Sequence, residues 1–253
     1  MSDNAKAPFY VGYLPTPAAL KVFLVSVAAG LIGMFAALAL AVGAAQDDPG
    51  TGEFKFGWGA QTVTGVLHAK PYPVLHVTKG SKRLPAGRSL LLSGPGKRGV
   101  QSRVAKLDGK LVTLRGVALK RGDLDGLQVG GGRNTIKPAN GEGAGIETKS
   151  LGHWRLKGEI CDGKCLVGAM RPSRGLAHKG CANLCLIGGA PPVFVASGKV
   201  DGTEFFLLGD KDGNPLPESY LRFAAVYVSL DGEVERRGNI LIFKVDLDTL
   251  KVL

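Results

Sequence analysis

The fold is indicated most clearly by a stretch of sequence that occurs twice. VTLRGVALKRGDLDGLQV (residues 112–129) aligns without gaps on VSLDGEVERRGNILIFKV (residues 228–245), and six of the 18 positions are identical. In each copy a Gly, Gly122 or Gly238, separates two runs rich in β-branched and aliphatic residues. Each copy therefore predicts a strand, a turn and a second strand.

The similarity extends upstream of this stretch. VTGVLH (63–68) corresponds to LKGEIC (156–161), and Pro73 corresponds to Pro192. The repeated unit is about 80 residues of short strands in which internal Gly residues let a strand bend, which is typical of small five-stranded barrels. We expect a mainly β protein with two tandem β-barrels of the OB or SH3-like kind, and a two-sheet sandwich is the alternative. The 38 Gly and 14 Pro among 253 residues agree with a turn-rich β architecture.

The second copy contains an insertion. Gly65 and Pro73 are 8 positions apart, whereas Gly158 and Pro192 are 34 apart. The extra residues predict an inserted segment at 162–190, and insertions on a retained scaffold commonly carry function. The predicted organisation is an N-terminal segment (1–21), a transmembrane helix (22–45), a linker (46–60), a first barrel (61–130), a second linker (131–150) and a second barrel (151–253).

Residues 22–45 contain no charged side chain. As a helix they would extend about 36 Å, enough to cross a bilayer with some tilt. A secretory signal peptide is the alternative, but its apolar region is usually about 7–15 residues long. Lys6 and Lys21 precede the span, and Asp47 and Asp48 follow it. This asymmetry predicts a cytoplasmic N-terminus and a long C-terminal part outside the cytoplasm.

The chain is basic, with 32 Lys and Arg against 21 Asp and Glu, a formal net charge of +11. Most of this excess positive charge lies in the residues after the predicted span. We expect those residues to lie outside the cytoplasm, in a compartment that holds little nucleic acid. We therefore expect acidic partners, either integral membrane subunits of a complex or anionic lipid headgroups, and we do not expect nucleic acid as a ligand.

All four cysteines lie within one stretch of 25 residues that begins just before the insertion. They are Cys161, Cys165, Cys181 and Cys185, with the spacing C-x3-C-x15-C-x3-C. An even number of cysteines in an oxidising compartment is compatible with two disulfides, for which three connectivities are possible. The sequence alone does not choose among them.

Metal binding is the other interpretation of the same residues. The segment 176–187, which ends before Gly188-Gly189, has the stop signals of a short helix. On that helix His178, Cys181 and Cys185 stand at i, i+3 and i+7, on one face. Together with Cys165 they would form a three-thiolate, one-imidazole set suited to zinc or copper.

Two resemblances accompany these motifs. The Cys181-x3-Cys185 pair resembles the cysteine pair of the binuclear copper site in cytochrome oxidase subunit II and in copper-delivery proteins. However, the expected downstream His and Met are absent from residues 186–192. The block with C-x12-H-x2-C-x3-C spacing (165–185), together with FYVGYLP near the N-terminus, resembles proteobacterial single-pass membrane-anchored proteins. That resemblance implies a bacterial inner-membrane location with periplasmic domains and an electron-transport context, but no activity.

No Ser/His/Asp arrangement or pair of suitably spaced carboxylates suggests an active site. The sequence therefore predicts a non-catalytic accessory subunit of an envelope membrane complex, in respiratory or photosynthetic electron transport. The alternative is a periplasmic metal-binding or electron-transfer protein that uses the Cys/His cluster.

Overall fold

The protein is described by a computed structural model that covers residues 16–45, 50–141, 143, 145–169 and 171–253. Lys6, Asp47, Asp48 and most of the predicted N-terminal segment lie outside these residues. The chain divides into two units, Met1–Asp48 and Pro49–Leu253.

The described residues of the first unit form the helix α1 (Ala18–Ala45). A stretch of 27 residues within it, Ala18–Ala44, is long and apolar enough to cross a membrane. Its large aliphatic and aromatic side chains, such as Val22, Phe23 and Ile32, are exposed. A helix of this length and apolar composition is suited to a lipid environment. The helix begins four residues before the predicted span and ends at the predicted position.

The second unit is mainly β. Its first half contains β1 (Glu53–Phe54), β2 (Ala60–His68), β3 (Val74–Lys79), β4 (Ser89–Ser93), a short helix α2 (Gln101–Val104), β5 (Leu111–Arg121), β6 (Leu124–Val129) and β7 (Ile136–Pro138). These seven strands form one sheet in which β5 pairs with β1, β2, β6 and β7. Strands β4 and β6 are parallel, and the other pairs are antiparallel.

The second half contains β8 (Thr148–Asp162), α3 (Lys179–Ile187), β9 (Pro192–Val200), β10 (Thr203–Asp210), α4 (Glu218–Leu221), β11 (Tyr227–Arg237) and β12 (Ile240–Val252). Its five strands form a closed barrel in the order β10-β12-β11-β8-β9. The parallel pair in this barrel is β10 with β12. The remaining four pairs are antiparallel.

The twice-occurring stretch forms the predicted strand, turn and strand in both places. Residues 112–129 lie in β5 and β6, and residues 228–245 lie in β11 and β12. Gly122 and Gly238 have φ of 55° and 60°, the left-handed conformation that Gly adopts without steric cost. The segment predicted as a second linker includes β7, which pairs with β5 through Leu114 and its neighbours.

Three large apolar clusters organise the described residues of the second unit, beside a small one at the cysteines. One lies inside the first half and includes Leu75 and Leu114, and another fills the barrel around Phe194, Phe206 and Phe243. The third joins the two halves, because it combines residues such as Leu91 with Val167 and others from the barrel half. The halves therefore share a core, and the inserted segment between β8 and β9 lies against both of them.

Candidate metal centre

The inserted segment is folded rather than extended. After β8 the chain forms a π-helical turn at Cys165–Ala169, then a 3-10 turn at Leu176–His178 that leads directly into α3. Gly188 follows α3, and Gly189, with φ of 92°, turns the chain toward β9. The helix predicted from the Gly-Gly stop signal is confirmed.

Three of the four thiols converge. The Sγ atom of Cys165 lies 3.9 Å from Sγ of Cys181 and 3.8 Å from Sγ of Cys185. Cys165 and Cys185 are buried, and Cys181 is partly exposed. Because Cys165 is supplied by the turn after β8 and the other two by α3, the cluster ties the helix to the end of the strand.

His178 joins this cluster and is held by a buried carboxylate. Its Nε2 atom lies 2.9 Å from Oδ2 of Asp162, and the side chains are 3% and 0% exposed, respectively. The other carboxylate oxygen of Asp162 accepts a hydrogen bond from the backbone N–H of Cys165 at 2.8 Å. Asp162 therefore positions both the imidazole and the turn that carries Cys165.

The potential ligand atoms form two overlapping groups. Those of Cys165, His178 and Cys181 lie within 4.8 Å of one another, and so do those of Asp162, Cys165 and Cys185. Cys165 belongs to both groups. Three of the four residues predicted as ligands, Cys165, His178 and Cys181, thus share one group, and the fourth, Cys185, lies with Asp162 and Cys165 in the other.

A cation from the other half of the unit completes the cluster. Lys97, on the loop after β4, places Nζ 2.7 Å from Sγ of Cys181 and 3.9 Å from Sγ of Cys185. The hydrogen bond to Cys181 raises the pKa of the Lys97 ammonium group. The pKa of Cys185 is lowered, first because it accepts a hydrogen bond from the Cys165 thiol, and Lys97 adds to the effect. The pKa of Cys165 is raised because its thiol donates that bond and is buried.

The loop that carries Lys97 is held close to α3 by backbone contacts. The N–H of Gly99 donates to the carbonyl of Gly188 at 2.8 Å, and the side-chain amide of Gln101 donates to the carbonyl of Gly189. Lys164 donates from Nζ to the carbonyls of Gly94 and Gly96 in the same loop. A Cβ atom at Gly188 would lie 1.8 Å from the Lys97 carbonyl oxygen, so only glycine fits at this contact.

Cys161 is not part of the cluster. It precedes Asp162 on β8, so its side chain points to the opposite face of the strand, where it packs in the apolar cluster between the two halves. Its Sγ atom lies 3.5 Å from Oε1 of Glu159, and burial raises the pKa of the thiol well above its usual range. The two-disulfide alternative requires Cys161 to pair with one of the other three, and the structure does not bring them together.

Asp162 and Lys97 were not predicted from the sequence. Asp162 stands three residues before Cys165, a spacing at which an Asp side chain can accept a hydrogen bond from a backbone N–H. The sequence therefore contained a signal for its contact with the turn that carries Cys165. Lys97 lies in a basic pair that is typical of solvated turns. Its place in the cluster depends on contacts between segments 84 positions apart.

The remaining histidines lie elsewhere. His76 is buried, with Nδ1 2.8 Å from Oγ of Ser89, and its ring packs at 71° to that of His68. The pKa of His76 is lowered to about 4, mainly by burial and in addition by the nearby His68 and Arg237. His153 is exposed on β8.

The inserted segment therefore presents a Cys/His cluster that could bind a metal ion. No family model matches the sequence, and no curated protein and no solved structure is significantly similar to it.

Proposed function

We propose that this protein is a membrane-anchored zinc-binding protein in which Cys165, His178, Cys181 and Cys185 hold the ion. The observation that carries the proposal is the spacing of the thiols. With zinc–sulfur bonds of about 2.3 Å, two thiolates of a tetrahedral site are separated by about 3.8 Å. The observed separations are 3.9 and 3.8 Å. A disulfide would need about 2.05 Å.

The surroundings of His178 also support a metal ligand. Histidines that bind metals almost always donate their other ring N–H to a carboxylate or carbonyl, which fixes the tautomer and the ring orientation. Nε2 of His178 faces the Asp162 carboxylate, so Nδ1 is the atom left for the ion. Both residues are almost fully buried, so water cannot replace this bond.

The charge of the site is balanced from within the protein. Three thiolates, the Asp162 carboxylate, a neutral imidazole and a divalent ion carry a net charge of −2. Lys97 places its ammonium group against Cys181 and Cys185 and offsets one of these charges. The ammonium group of Lys164 interacts favourably with Cys185, Cys165 and Asp162 and offsets the other. Soft thiolates and an imidazole in a four-ligand set favour zinc in a structural role, because no ligand position is left for water or substrate.

We infer a structural role for the ion. The ligands come from the turn after β8 and from α3, while Lys97 comes from the first half, so the ion would lock the inserted segment onto both halves. Zinc would also protect closely spaced thiols from oxidation in a periplasmic location. This location, with the N-terminus in the cytoplasm, is the topology that we propose for a chain anchored in the bacterial inner membrane by α1.

We further propose that the two halves are copies of one OB-type barrel. In the first half β5 pairs with both β2 and β6, so the pairings β5-β2-β3-β4-β6-β5 return to the starting strand. The barrel of the second half has the same order, with its parallel pair in the equivalent place. Gly65 and Gly158, equivalent in the alignment, each approach a backbone carbonyl so closely that a Cβ would lie 2.1 or 2.2 Å from it.

An accessory role in an envelope complex remains a prediction. It is supported by the length and apolar composition of the helix α1. Two non-catalytic barrels that are held together by a structural metal ion are compatible with such a role. Co-purification of the full chain from membranes, followed by mass spectrometry, tests it; migration of the protein without a larger complex would contradict it.

The zinc proposal is tested on the full chain purified in detergent without oxygen. We expect one zinc ion per chain by elemental mass spectrometry and its loss in Cys165→Ala and Cys181→Ala. Cys161→Ala is the matched control, since it removes a buried thiol of β8 that lies outside the cluster, and it should retain the ion.

Several results would contradict this proposal. Oxidation of all four thiols in freshly purified protein would exclude the site, as would equal loss of zinc in Cys161→Ala. Stoichiometric copper in place of zinc would favour the copper alternative.

A further inference from the structure

The outward face of α3 is unusually apolar. Leu184 and Ile187 are 58% and 61% exposed, and Leu176 in the preceding 3-10 turn is 73% exposed. At helical spacing these three residues and Gly180 share one side of the segment, and Ala182 and Leu186 are buried on the other side. Exposed aliphatic side chains that cluster on one face of a short helix mark a surface that is covered by something else.

This face lies where two segments without acidic residues meet. Residues 54–107 contain ten Lys or Arg and no Asp or Glu, and residues 163–200 contain five and none. The contacts of Gly99 with Gly188 and of Gln101 with Gly189 hold these segments together at the end of α3. As a result Lys97 and Arg98, both exposed, lie on the loop that contacts the C-terminal end of α3.

The acidic side chains are concentrated elsewhere in the second half. Asp210, Asp212, Asp246 and Asp248 line one small cavity of about 230 Å³ beside the β10–β12 pair. The second unit is therefore electrostatically uneven, with an anion-attracting region at the inserted segment.

We propose that the surface formed by Leu176, Leu184 and Ile187 with the neighbouring Arg98 docks onto an anionic lipid surface. Aliphatic side chains flanked by cations are the pattern of segments that lie in the headgroup region, where the apolar groups enter the acyl boundary and the cations attract acidic lipids. The chain also provides the membrane, because α1 is long and apolar enough to span one and only residues 46–52 separate it from β1.

This inference goes beyond zinc binding and uses residues that are not ligands. It rests on the membrane anchoring by α1 that the proposed function includes. The ion would contribute indirectly, by holding α3 so that its apolar strip faces outward. A docking surface for an acidic protein has the same charge pattern, and the experiment separates the two.

The experiment uses the full, zinc-loaded chain with Leu184 replaced by photoreactive benzoylphenylalanine. It is incorporated into nanodiscs of phosphatidylcholine alone, or of equal parts phosphatidylcholine and phosphatidylglycerol. We expect lipid adducts, detected by mass spectrometry, in the anionic discs and few in the neutral discs. A matched control carries the same group at Val252, which is also 58% exposed but lies at the end of β12, and should give few adducts in either disc.

The charge dependence gives a second readout. One Lys or Arg side chain near an anionic lipid surface changes the affinity of the protein for that surface by about fivefold, so Arg98→Gln should reduce the yield of lipid adducts by up to that factor. Added salt should reduce it further.

Equal yields in the two kinds of disc, or equal yields at Leu184 and Val252, would overturn the proposal. The proposal would also be overturned if the photoreactive group at position 184 cross-linked to a protein rather than to lipid in native membranes. Because zinc content is measured separately, a chain that binds zinc but gives no lipid adducts refutes only the lipid-docking surface.

Discussion

Replacement of Asp162 by Asn tests the buried support of the proposed zinc site. The Asn side chain has nearly the same size and can still accept the hydrogen bond from the Cys165 N–H. Its NH2 group, however, would face Nε2 of His178, which must carry a proton when Nδ1 binds the ion. Two donors would then oppose each other in a place that water does not reach, since Asp162 is 0% exposed.

The expected loss follows from this geometry. A hydrogen bond between the imidazole N–H and an ionised carboxylate contributes about 1.5–3 kcal/mol. Removing the outer partner of a metal-binding His typically weakens metal affinity about 10–100-fold, or about 1.4–2.7 kcal/mol. The two estimates agree, so we expect Asp162→Asn to bind zinc between one and two orders of magnitude more weakly than the wild type.

The assay is competition for zinc between a chromogenic chelator and the full chain in detergent at neutral pH. Glu159→Gln is the matched control, because Glu159 is also buried on β8 but points to the opposite face, where it accepts the N–H of Gly175. Its zinc affinity should be unchanged. Circular dichroism establishes that each variant is folded.

A double-mutant cycle identifies the route of the effect. If Asp162 acts through the imidazole, then Asp162→Asn should cause little further loss in a His178→Ala background. An Asp162→Asn variant that is folded and binds zinc within twofold of the wild type would refute the reasoning. A full additional loss in the His178→Ala background would show that Asp162 does not act through His178.

Three further predictions concern stability, each measured by chemical unfolding of the full chain. The pKa of His76 is about 4 in the folded state and about 6.5 when unfolded, so the unfolded chain binds the proton first on acidification. The contribution of neutral His76 to the free energy of unfolding is fully present above pH 6.5, and the free energy of unfolding should fall by about 2–3 kcal/mol as the pH is lowered to 4. His76→Gln should remove this part of the pH dependence, and replacement of the exposed His153 by Gln should not. Gly232→Ala would place a Cβ 2.3 Å from the Lys244 carbonyl and should destabilise the barrel strongly, while Gly198→Ala, with open space around it, should cost little; equal effects would contradict the close approach. Phe243→Ala removes a fully buried ring from the barrel core and should cost about 3–5 kcal/mol, and a loss below 1 kcal/mol would show that this core is not packed as described.

Much of the fold could be predicted because its signals are local. The uncharged run at 22–45 predicts a helix from composition alone, and the Gly-separated strand pairs at 112–129 and 228–245 predict hairpins from alternation and turn chemistry. The short helix before Gly188-Gly189 follows from its stop signal. Each of these depends on residues close together in the chain, where backbone sterics and side-chain period determine the conformation.

The metal centre was only partly predictable. Helical spacing places His178, Cys181 and Cys185 on one face, but spacing cannot show which of Cys161 and Cys165 reaches it. The alternation of β8 decides this, since it turns Cys161 into the apolar cluster between the halves and leaves Cys165 beyond the strand end.

By itself, the sequence determined the apolar helix, the repeated strand pairs, the insertion and the type of chemistry available in it. Only the tertiary structure decided that Asp162 holds His178, that Lys97 from the first half reaches the thiols, and that two segments without acidic residues meet beside α3. These are contacts between residues distant in the chain, and they form because the two halves share a buried core whose formation brings the loop after β4 against the inserted helix.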